Sequence, residues 1–412
     1  MPPTPLSRPG PRPYGPPIPA SPTRFDTISR PTTRVLQIGC GAVGSVIAKH
    51  LGACEEIDET VLADIDEDLV KRIATRLGSR KIRAMRLDAS KPEELRRGME
   101  GCQLVVNAAL PRFNEVIKRA ALDSGLHYMD LATESADPYT PSQEWKDAGL
   151  TALLGMGEDP GMSNVMARRA ADQLDTVESI KVRDGDTASS PEYPFIPLFS
   201  PETFVEETLS RSRIWRNGRY EMVEPFGAFE MYDFPPPVGS LPVYSVDHEE
   251  VDSLPRFIGK GVEYVDFKLA LDAATMDALR RFQAILEREK STGRLAEARK
   301  TFFASLPKPA DLTGKVDGYA ALVVSVTGTK DGRRLRHALW TVMGHREASQ
   351  KYGATGTAYL TGTPAAVGAI LLASGRIRER GILSPEHLDP GPFFRMTEDR
   401  GIRVHEEVGP VT

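Results

Sequence analysis

The sequence predicts an α/β protein, in which an N-terminal Rossmann domain with a doubly wound parallel sheet precedes a second, α+β domain with a mixed sheet. Between residues 33 and about 106, short apolar runs alternate with amphipathic helical stretches, as in a parallel sheet covered by helices. The apolar run ending at Ile38 enters the turn Gly39-x-Gly41-x-x-Gly44, and a helical pattern follows. A length of 412 residues exceeds the usual limit for one core, so a second domain is expected.

Each glycine of this turn has a separate task in a dinucleotide-binding site. Gly39 permits the tight turn, Gly41 lets the backbone approach a pyrophosphate, and Gly44 lets the helix pack closely on the strand. The phosphates are expected on free N–H groups at the positive end of the helix, which starts around Ala42 and Val43.

An acidic residue stands where a Rossmann domain binds the adenosine ribose. Asp64 ends the second apolar segment, twenty positions after Gly44, and its carboxylate is placed to bind the ribose diol. The alternative is that Asp64 only opens the polar turn that follows it. Because a carboxylate here repels a 2′-phosphate, we expect NAD as the cofactor, with NADP as the alternative.

The ends of later strands supply further candidates, because the carboxyl ends of parallel strands meet at the ligand-binding edge of the sheet. Asp88 follows the third predicted strand, beside the expected adenine position. Asn107, Ala108 and Ala109 end the fourth strand, on the nicotinamide side. Asp130 ends the fifth strand and is a catalytic candidate.

The sixth predicted strand, residues 151 to 154, runs into a second tight turn, Gly157-Glu158-Asp159-Pro160-Gly161. The proline fixes φ and the second glycine lets the chain pass close to a cofactor, so we expect Gly157, Pro160 and Gly161 at the cofactor. Asp159 is the main catalytic candidate, held beside the substrate nitrogen. The alternative is that Asp159 caps the next helix, predicted over residues 165 to 174.

Beyond residue 165 the pattern changes to half-exposed strands and proline-rich connections, which is typical of an α+β domain. We therefore divide the chain into four parts. They are a disordered proline-rich tail (1–32), the Rossmann domain (33–165), a substrate and dimerisation domain (166–350), and a segment (351–412) returning to the Rossmann domain through an apolar helix over residues 363 to 374.

Composition narrows the possible partners. A formal net charge of −5 gives no reason to expect nucleic acid. The three cysteines, Cys40, Cys54 and Cys102, show no metal-ligand spacing, so we expect no metal and a reducing, cytoplasmic setting. No apolar run reaches the roughly 18 residues of a membrane span, and the proline-broken N-terminus is not a secretory signal.

With these motifs in place, the chain resembles the saccharopine dehydrogenase family, in its reductase-like branch, from residue 34 to about 404. The matching motifs are GCGAVG at the first turn, VNAALP at the fourth strand and GxDPGM at residues 157 to 162, of which the last is the most specific. The resemblance implies nicotinamide-dependent oxidation of a C–N bond in an amino acid or polyamine through an imine, and a homodimer. Asp159 is the position that it carries over most directly.

Oxidation of an amine needs a base near the nitrogen and donors that hold the substrate carboxylates. His248 is a second acid–base candidate, and its alternative role is a surface ion pair with the two acids beside it. Asp184 is expected behind Asp130, Asp159 and His248, as a substrate-binding residue. Arg183, Arg219 and Lys268 are candidates for the substrate carboxylates, and for each the alternative is a solvated charge.

The main expectation is a reductase that joins or separates glutamate and an aminoadipate semialdehyde, as in saccharopine. A lysine 6-dehydrogenase and a carboxynorspermidine-type reductase remain alternatives, because glycine turns and strand order do not separate them. Fungal saccharopine reductases carry a Tyr near Ala132 and a Cys near Asp184, and this chain has neither. A catalytically silent dinucleotide-binding regulator is therefore an alternative of another class.

Overall fold

The computed structural model describes residues 32–133, 137–193 and 195–411, which belong to one compact unit. The predicted disordered tail lies, up to residue 31, outside the described residues. In the first part of the chain strands and helices alternate as expected. They are β1 Arg34–Ile38, α1 Ala42–Ala53, β2 Glu59–Asp64, α2 Glu67–Leu77, β3 Ile82–Arg86, α3 Pro92–Met99, β4 Leu104–Asn107, α4 Asn114–Asp123, β5 His127–Asp130, α5 Ser142–Asp147, β6 Thr151–Leu153 and α6 Met162–Asp172.

The remaining chain builds a second sheet and then returns to the first. Its elements are β7 Thr176–Asp184, α7 Pro201–Leu209, β8 Ser212–Arg216, β9 Arg219–Val223, β10 Glu230–Phe234, β11 Gly239–Ser245, α8 Glu250–Ile258, β12 Tyr264–Ala270, α9 Ala273–Thr292, α10 Leu295–Ser305, β13 Tyr319–Lys330, β14 Arg333–Gly344, α11 His345–Tyr352, α12 Gly356–Ala373, β15 Gly381–Leu383, α13 Pro390–Glu398 and β16 His405–Pro410.

The first sheet is parallel and doubly wound, with strand order β15-β6-β5-β4-β1-β2-β3. The chain runs outward from β1 in one direction and from β4 in the other, so the two strands border the point where the order reverses. Ile38 and Asn107, the last residues of β1 and β4, are neighbours in register. Ligands of such sheets bind in the crevice beyond the strand ends at this point.

The C-terminal return is more extensive than the sequence indicates. Helix α12 begins at Gly356, seven residues before the predicted start, and β15 adds a seventh strand, with Ile382 beside Ala152 of β6. The helix packs tightly on α1, because a Cβ on Gly362 would come 2.7 Å from that of Val46. Its start was misplaced because it is buried along nearly its whole length and so lacks an amphipathic period.

Helix α12 also corrects the expectation that no apolar run reaches the length of a membrane span. Residues Gly356–Ala373 are long and apolar enough by composition, with a mean hydropathy of 1.3. However, 89% of these residues are buried inside the protein. We therefore interpret α12 as a core helix.

The second sheet is mixed and has the order β10-β11-β12-β7-β13-β14-β16, with the β8–β9 hairpin attached to β12. Its central strand, β7, pairs in parallel with β12 and antiparallel with β13. A single hydrophobic core joins the two sheets, and it includes Met162 of α6, Val182 of β7 and Val367 of α12. The carboxyl end of β7 lies near the turn that follows β6, since Asp184 and Asp159 interact electrostatically.

Candidate active site

The first glycine turn is shaped by close backbone contacts. Gly39 has a φ of +95°, and a Cβ there would lie 2.4 Å from the carbonyl carbon of Ala108. A Cβ on Gly44 would lie 2.3 Å from the Gly39 oxygen. The buried Gln37 side chain donates its Nε2 to the carbonyls of Gly39 (3.0 Å) and Gly44 (2.7 Å). Sequence reasoning missed Gln37, although a polar residue within an apolar strand was a signal.

This turn leaves room for an anion at the start of α1. A Cβ on the exposed Gly41 would meet nothing within 4 Å, and the first turn of α1 holds no acidic residue. The N–H groups of Ala42, Val43 and Gly44 have no intrahelical acceptor, as in any first turn. Donors, space and helix dipole therefore fit the pyrophosphate of a dinucleotide.

Asp64 shapes the turns beside it, and the ribose contact that we predicted for it stays a prediction. Its carboxylate accepts hydrogen bonds from the N–H groups of Cys40 (2.8 Å) and Asp66 (3.0 Å), and so shapes the turns on both sides of the site. Each oxygen keeps a second lone pair for a ribose hydroxyl. Asp88, after β3 on the far side of β2, accepts bonds from the N–H and hydroxyl of Ser90.

Asn107 supports the strand ends from within. Its side chain is 1% exposed and donates to Asn114 Oδ1 (2.7 Å) and to the Tyr128 hydroxyl (3.0 Å), while it accepts from the Ala109 N–H (3.1 Å). These bonds fix the backbone at Ala108 and Ala109, which lies against Gly39. The contribution of Asn107 to the cofactor site is thus made through the backbone that it holds.

Asp130 also occupies a supporting position, and the catalytic role that we predicted for it stays a prediction. It is 2% exposed, and its two carboxylate oxygens accept from the Gly155 N–H (2.8 Å) and the Tyr128 hydroxyl (3.0 Å). Burial raises the pKa of Asp130 to about 7, and the hydrogen bond from Gly155 opposes this increase. Through these two hydrogen bonds, Asp130 connects the end of β5 to the backbone that follows β6.

The second glycine turn closes on itself. The Gly157 N–H donates to the Pro160 carbonyl at 2.7 Å, and a Cβ on Gly161 would lie only 2.2 Å from the Gly157 oxygen. Gly161, with a φ of +134°, is therefore required by the turn itself, in addition to any cofactor approach. Asn164 Oδ1 accepts from the Gly161 N–H at 2.7 Å and caps α6.

Asp159 is consequently free of the capping role that was its alternative. Its Oδ2 atom is buried and has no hydrogen-bond partner within the described residues. Four further carboxyl groups, those of Asp184, Glu158, Glu250 and Asp186, interact with it electrostatically. Glu250 is paired with His248. We call the other four residues, Glu158, Asp159, Asp184 and Asp186, the acidic cluster.

The acidic cluster combines burial with mutual repulsion. Burial is the largest cause that raises the pKa of Asp159 well above its usual value, followed by the charges of Asp184 and Glu158. Burial and Asp186 raise the pKa of Asp184 likewise. Asp186 accepts from the Ala321 N–H (3.1 Å) and the Thr357 hydroxyl, and its own N–H donates to Asp184 Oδ1 (2.9 Å). These shifts favour the protonated forms of the four carboxyl groups.

No lysine or arginine forms an ion pair with the acidic cluster within the part of the chain that the structure describes. The nearest base to Asp186 is His345, which is fully buried. The Gly356 N–H donates to its Nδ1 (3.0 Å), so the proton lies on Nε2, which donates to the Thr187 carbonyl (2.8 Å). His345 is therefore neutral, in agreement with a pKa lowered by burial.

His248 is a buried cation at the border of this cluster. Its ring stacks on Phe267 at 3.8 Å and its Nδ1 hydrogen-bonds Glu250. Burial alone would lower the pKa of His248, but the charge and hydrogen bond of Glu250 raise it to about 10. The surface ion pair that we considered is wrong, because only 7% of His248 is exposed.

A polar chain links His248 to the second glycine turn. Ser163 donates to Glu250 Oε1 at 2.7 Å and also contacts Asn164, the cap of α6. Burial raises the pKa of the neighbouring Glu207 to about 8, while His248 lowers it. Sequence reasoning missed Glu207, Glu250 and Ser163, since nothing local indicates that they meet.

The ligand atoms of His248, Glu249 and Glu250 lie within 4.8 Å of one another, as in some metal sites. Each of these groups already has a protein partner. Glu249 accepts from the Thr133 N–H at 2.8 Å, and Glu250 accepts from Ser163 and His248. The three side chains are thus already used in hydrogen bonds within the protein.

The cations predicted to bind substrate carboxylates are differently placed. Arg183 is 1% exposed and makes two hydrogen bonds to Asp266, at 2.9 and 3.0 Å, with a third to Glu230 at 3.0 Å. Lys268 donates to Glu230 at 2.7 Å. Arg219 lies exposed at the tight end of the β8–β9 hairpin. Arg183 and Lys268 are therefore structural, because strands β10 and β12 supply their counter-charges.

Two family models match the chain. The saccharopine dehydrogenase NADP binding domain matches residues 35–153, and the saccharopine dehydrogenase C-terminal domain matches residues 157–402. Together they cover the first sheet, the second sheet and most of the C-terminal return.

Characterised relatives match over nearly their whole length. The chain is 28% identical over 397 residues to a carboxyaminopropylagmatine dehydrogenase of Synechocystis sp., covering 92% of this chain and 98% of the relative. It is 27% identical over 410 residues to a carboxynorspermidine synthase of Vibrio alginolyticus, covering 91% and 97%.

A solved structure shares the fold. Saccharopine dehydrogenase (L-Glu forming) from Saccharomyces cerevisiae aligns with a TM-score of 0.68 at 16% identity, covering 92% of this chain and 100% of that one. The chain is thus an NAD(P)-dependent oxidoreductase that acts on a carbon–nitrogen bond. From its two matched domains, it belongs to the saccharopine dehydrogenase family.

Proposed function

We propose that this oxidoreductase forms or cleaves a C–N bond of a carboxylated polyamine, and that saccharopine is not its substrate. The acidic cluster is the observation that supports this proposal most strongly. Four carboxyl groups surround the expected reaction centre, and no lysine or arginine among the described residues pairs with them. An ammonium-rich substrate favours the ionised forms of these groups and pairs with them, whereas the three carboxylates of saccharopine would add to their repulsion.

The names of the relatives support the same substrate class. Carboxyaminopropylagmatine and carboxynorspermidine are both polyamines with one carboxyl group. Among the basic groups near the cluster, Arg183 and Lys268 are occupied by protein carboxylates. This distribution suits a substrate with several ammonium groups and few carboxylates.

The reaction requires a neutral nitrogen and a developing positive charge beside it. In the direction of oxidation, Asp159 in its ionised form takes up the proton of the substrate ammonium and leaves a neutral nitrogen. The lone pair of this nitrogen then forms the C=N bond as hydride leaves the adjacent carbon. A bound nicotinamide supplies the hydride chemistry by accepting that hydride or returning it. Water then adds to the C=N bond, which separates the amine from an aldehyde. His248 at neutral pH holds a proton and can return it to the departing amine.

Steady-state hydride transfer tests this proposal. NAD(P)⁺ reduction is measured with carboxynorspermidine, carboxyaminopropylagmatine, saccharopine and lysine, each with both cofactors. We expect kcat/KM for a carboxylated polyamine to exceed that for saccharopine and lysine by about 100-fold, equivalent to about 2.7 kcal/mol of discrimination. Faster turnover of saccharopine or lysine would contradict the proposal. Absence of hydride transfer with every substrate would favour the silent regulator.

A further inference from the structure

The imidazole ring of His248 is held in one orientation. Its Nδ1 hydrogen-bonds Glu250, and its plane stacks on the Phe267 ring with the centroids 3.8 Å apart and an interplanar angle of 5°. The other ring nitrogen, Nε2, has no hydrogen-bond partner among the described residues, yet it is not sealed inside the protein as Oδ2 of Asp159 is. The free N–H of this buried imidazolium therefore faces accessible space.

Glu250 holds Nδ1 from a fixed position. Its side chain is fully buried, and while Oε2 bonds His248, Oε1 accepts from the Ser163 hydroxyl at 2.7 Å. Glu250 is the first residue of α8, and Ser163 lies in the first turn of α6. The positive ends of two helices thus favour a negative charge at Glu250. Because an ionised carboxylate only accepts hydrogen bonds, Nδ1 of His248 carries a proton.

Asn164 joins the second glycine turn to the same helix. Its Oδ1 accepts from the Gly161 N–H at 2.7 Å, and its Nδ2 donates to Ser253 of α8 at 3.0 Å. Asn164 and Ser253 are both buried. Because Asp159 belongs to that turn and His248 is bound to the start of α8, buried hydrogen bonds hold the two acid–base candidates in a fixed relation.

Four carboxyl groups face His248 from three elements of the structure. They belong to Glu249 and Glu250 at the start of α8, Glu207 on α7 and Asp184 at the end of β7. Glu249 Oε2 lies 3.7 Å from Nδ1, beyond hydrogen-bond distance. Glu207 and Asp184 interact with the ring through charge alone. Of these four groups, Glu250 is therefore the one that fixes the orientation of the ring.

From these contacts we propose that Glu250 is a positioning residue, which holds His248 so that Nε2–H supplies the proton to the departing amine. The inference rests on the proposed function, in which water adds to the C=N bond and the amine then separates from an aldehyde. As the C–N bond breaks, its electron pair goes to the nitrogen, which takes the Nε2 proton. The hydroxyl formed from water loses its own proton to solvent and becomes the aldehyde oxygen.

Loss of the Glu250 charge should separate two steps of the reaction. Glu250→Gln keeps an acceptor for Nδ1–H and removes the charge. Burial lowers the pKa of His248, and the charge and hydrogen bond of Glu250 raise it to about 10, so the ring of the variant loses its proton at a lower pH. Hydride transfer occurs before the Nε2 proton is needed and should be nearly unaffected, whereas release of the amine should slow.

Stopped-flow reduction of NAD(P)⁺ by carboxynorspermidine tests the inference. We expect the first turnover of Glu250→Gln to match the wild type within about twofold, whereas later turnovers slow about tenfold or more above neutral pH. The alkaline limb of steady-state kcat should move to lower pH by about two units. A deficit that is independent of pH, or that appears equally in the first turnover, would overturn the inference, because a merely structural Glu250 would affect every step.

Two further variants locate the effect. Ser163→Ala keeps the charge of Glu250 and removes one of its anchors, so steady-state kcat should fall about threefold or more while the alkaline limb stays in place. Wild-type kcat in Ser163→Ala would contradict positioning through this anchor. The matched control is Asp175→Asn, an exposed carboxylate just before β7 that pairs with Lys330, and it should leave every rate unchanged. Unchanged NAD(P)H affinity shows that each variant is folded.

NMR of the histidine-labelled, NAD(P)⁺-bound protein separates this inference from the proposed function. At slightly alkaline pH, both ring nitrogens of His248 should carry protons in the wild type, and the ring should be neutral in Glu250→Gln. This result in a protein that transfers no hydride from carboxynorspermidine would retain the orientation of His248 by Glu250 and overturn the proposed function. A neutral His248 in a wild-type protein that turns over carboxylated polyamines would overturn the inference alone.

Discussion

Two adjacent residues of β7, Arg183 and Asp184, lie on opposite faces of the second sheet and have opposite electrostatic surroundings. On the face of Arg183, two cations and two carboxylates are joined by hydrogen bonds of 2.7 to 3.0 Å. On the face of Asp184, four carboxyl groups meet without a lysine or arginine among the described residues. Removing one partner of a buried ion pair is costly for stability, so we call the face of Arg183 the balanced face. On the face of Asp184, which we call the unbalanced face, buried carboxyl groups without cationic partners favour the protonated form or a cationic ligand.

The balanced face should be the more sensitive one in stability. Asp266→Ala leaves the Arg183 guanidinium buried with only Glu230 as its counter-charge, so the free energy of unfolding should fall by about 3–5 kcal/mol. Urea denaturation measures this loss. Glu178→Ala removes the half-buried partner, on β7, of the exposed Arg334, and as the control it should cost about 1 kcal/mol or less. A similar small loss for Asp266→Ala would show that the two faces do not differ.

The unbalanced face should be the more sensitive one in catalysis. Asp159→Asn keeps the shape of the side chain and removes its ability to carry charge, so kcat should fall about 10²-fold or more. Thermal stability and NAD(P)H affinity should remain nearly unchanged, because Oδ2 of Asp159 makes no hydrogen bond that the protein would lose. Asp175→Asn is the control. Wild-type kcat in Asp159→Asn would assign the chemistry to another group, with His248 the next candidate.

A third region, the start of α1, favours a negatively charged ligand. It offers N–H donors and has no acidic residue in its first turn. Gly41→Asp should fold normally, because a Cβ there meets nothing within 4 Å. The new carboxylate would occupy the position of the pyrophosphate, and the Kd for NAD(P)H should rise at least about tenfold in calorimetry. Gly41→Ala should change it much less. Unchanged affinity in Gly41→Asp would place the phosphates elsewhere.

The pair of His248 and Glu250 is intermediate between the two faces, because its charges are paired but His248 can still lose its proton as pH rises. The pKa of His248 is raised to about 10 from an unfolded value near 6.5, so the pair stabilises the protein fully below about pH 6.5 and loses this effect as pH rises through 10. Glu250→Gln should therefore destabilise the protein most at pH 6 and least at pH 10. Chemical denaturation of both proteins across this range measures the difference. A destabilisation independent of pH would show that His248 is not protonated in the fold.

The smallest effect concerns cofactor choice, where Asp64 holds a negative charge near the expected ribose. We expect higher kcat/KM with NAD(H), and Asp64→Asn should shift the ratio toward NADP(H) by about tenfold or less, because the backbone donors of Cys40 and Asp66 remain. A wild-type preference for NADP(H) would contradict the role of Asp64.

Much of the first sheet could be predicted because its signals are local. The glycine turn, Asp64 and the alternation of strands with helices each lie within a few tens of residues. The same holds for the second turn and Asp159. By contrast, β15 has three residues and pairs with a strand more than 220 positions earlier, so its short pattern carried no signal.

The charges of the site were harder to predict for the same reason. The pairing of Arg183 and Lys268 with Glu230 and Asp266 could not be predicted, because these carboxylates lie on other strands or face the cations only after folding. The role of Asp130 depends on the Gly155 N–H, which reaches it only when β5 and β6 pair. Such assignments require knowledge of which strands are neighbours.

The late position of β15 in the chain has a consequence for how the protein is made. The first sheet lacks its outer strand, and α1 lacks the cover of α12, until nearly the whole chain has left the ribosome. During synthesis β6 is an unpaired edge strand, and such edges can pair with other chains. A nascent chain interrupted before β15 would therefore carry an incomplete nucleotide-binding sheet, and chaperones would have to shield that edge until the last strand arrives.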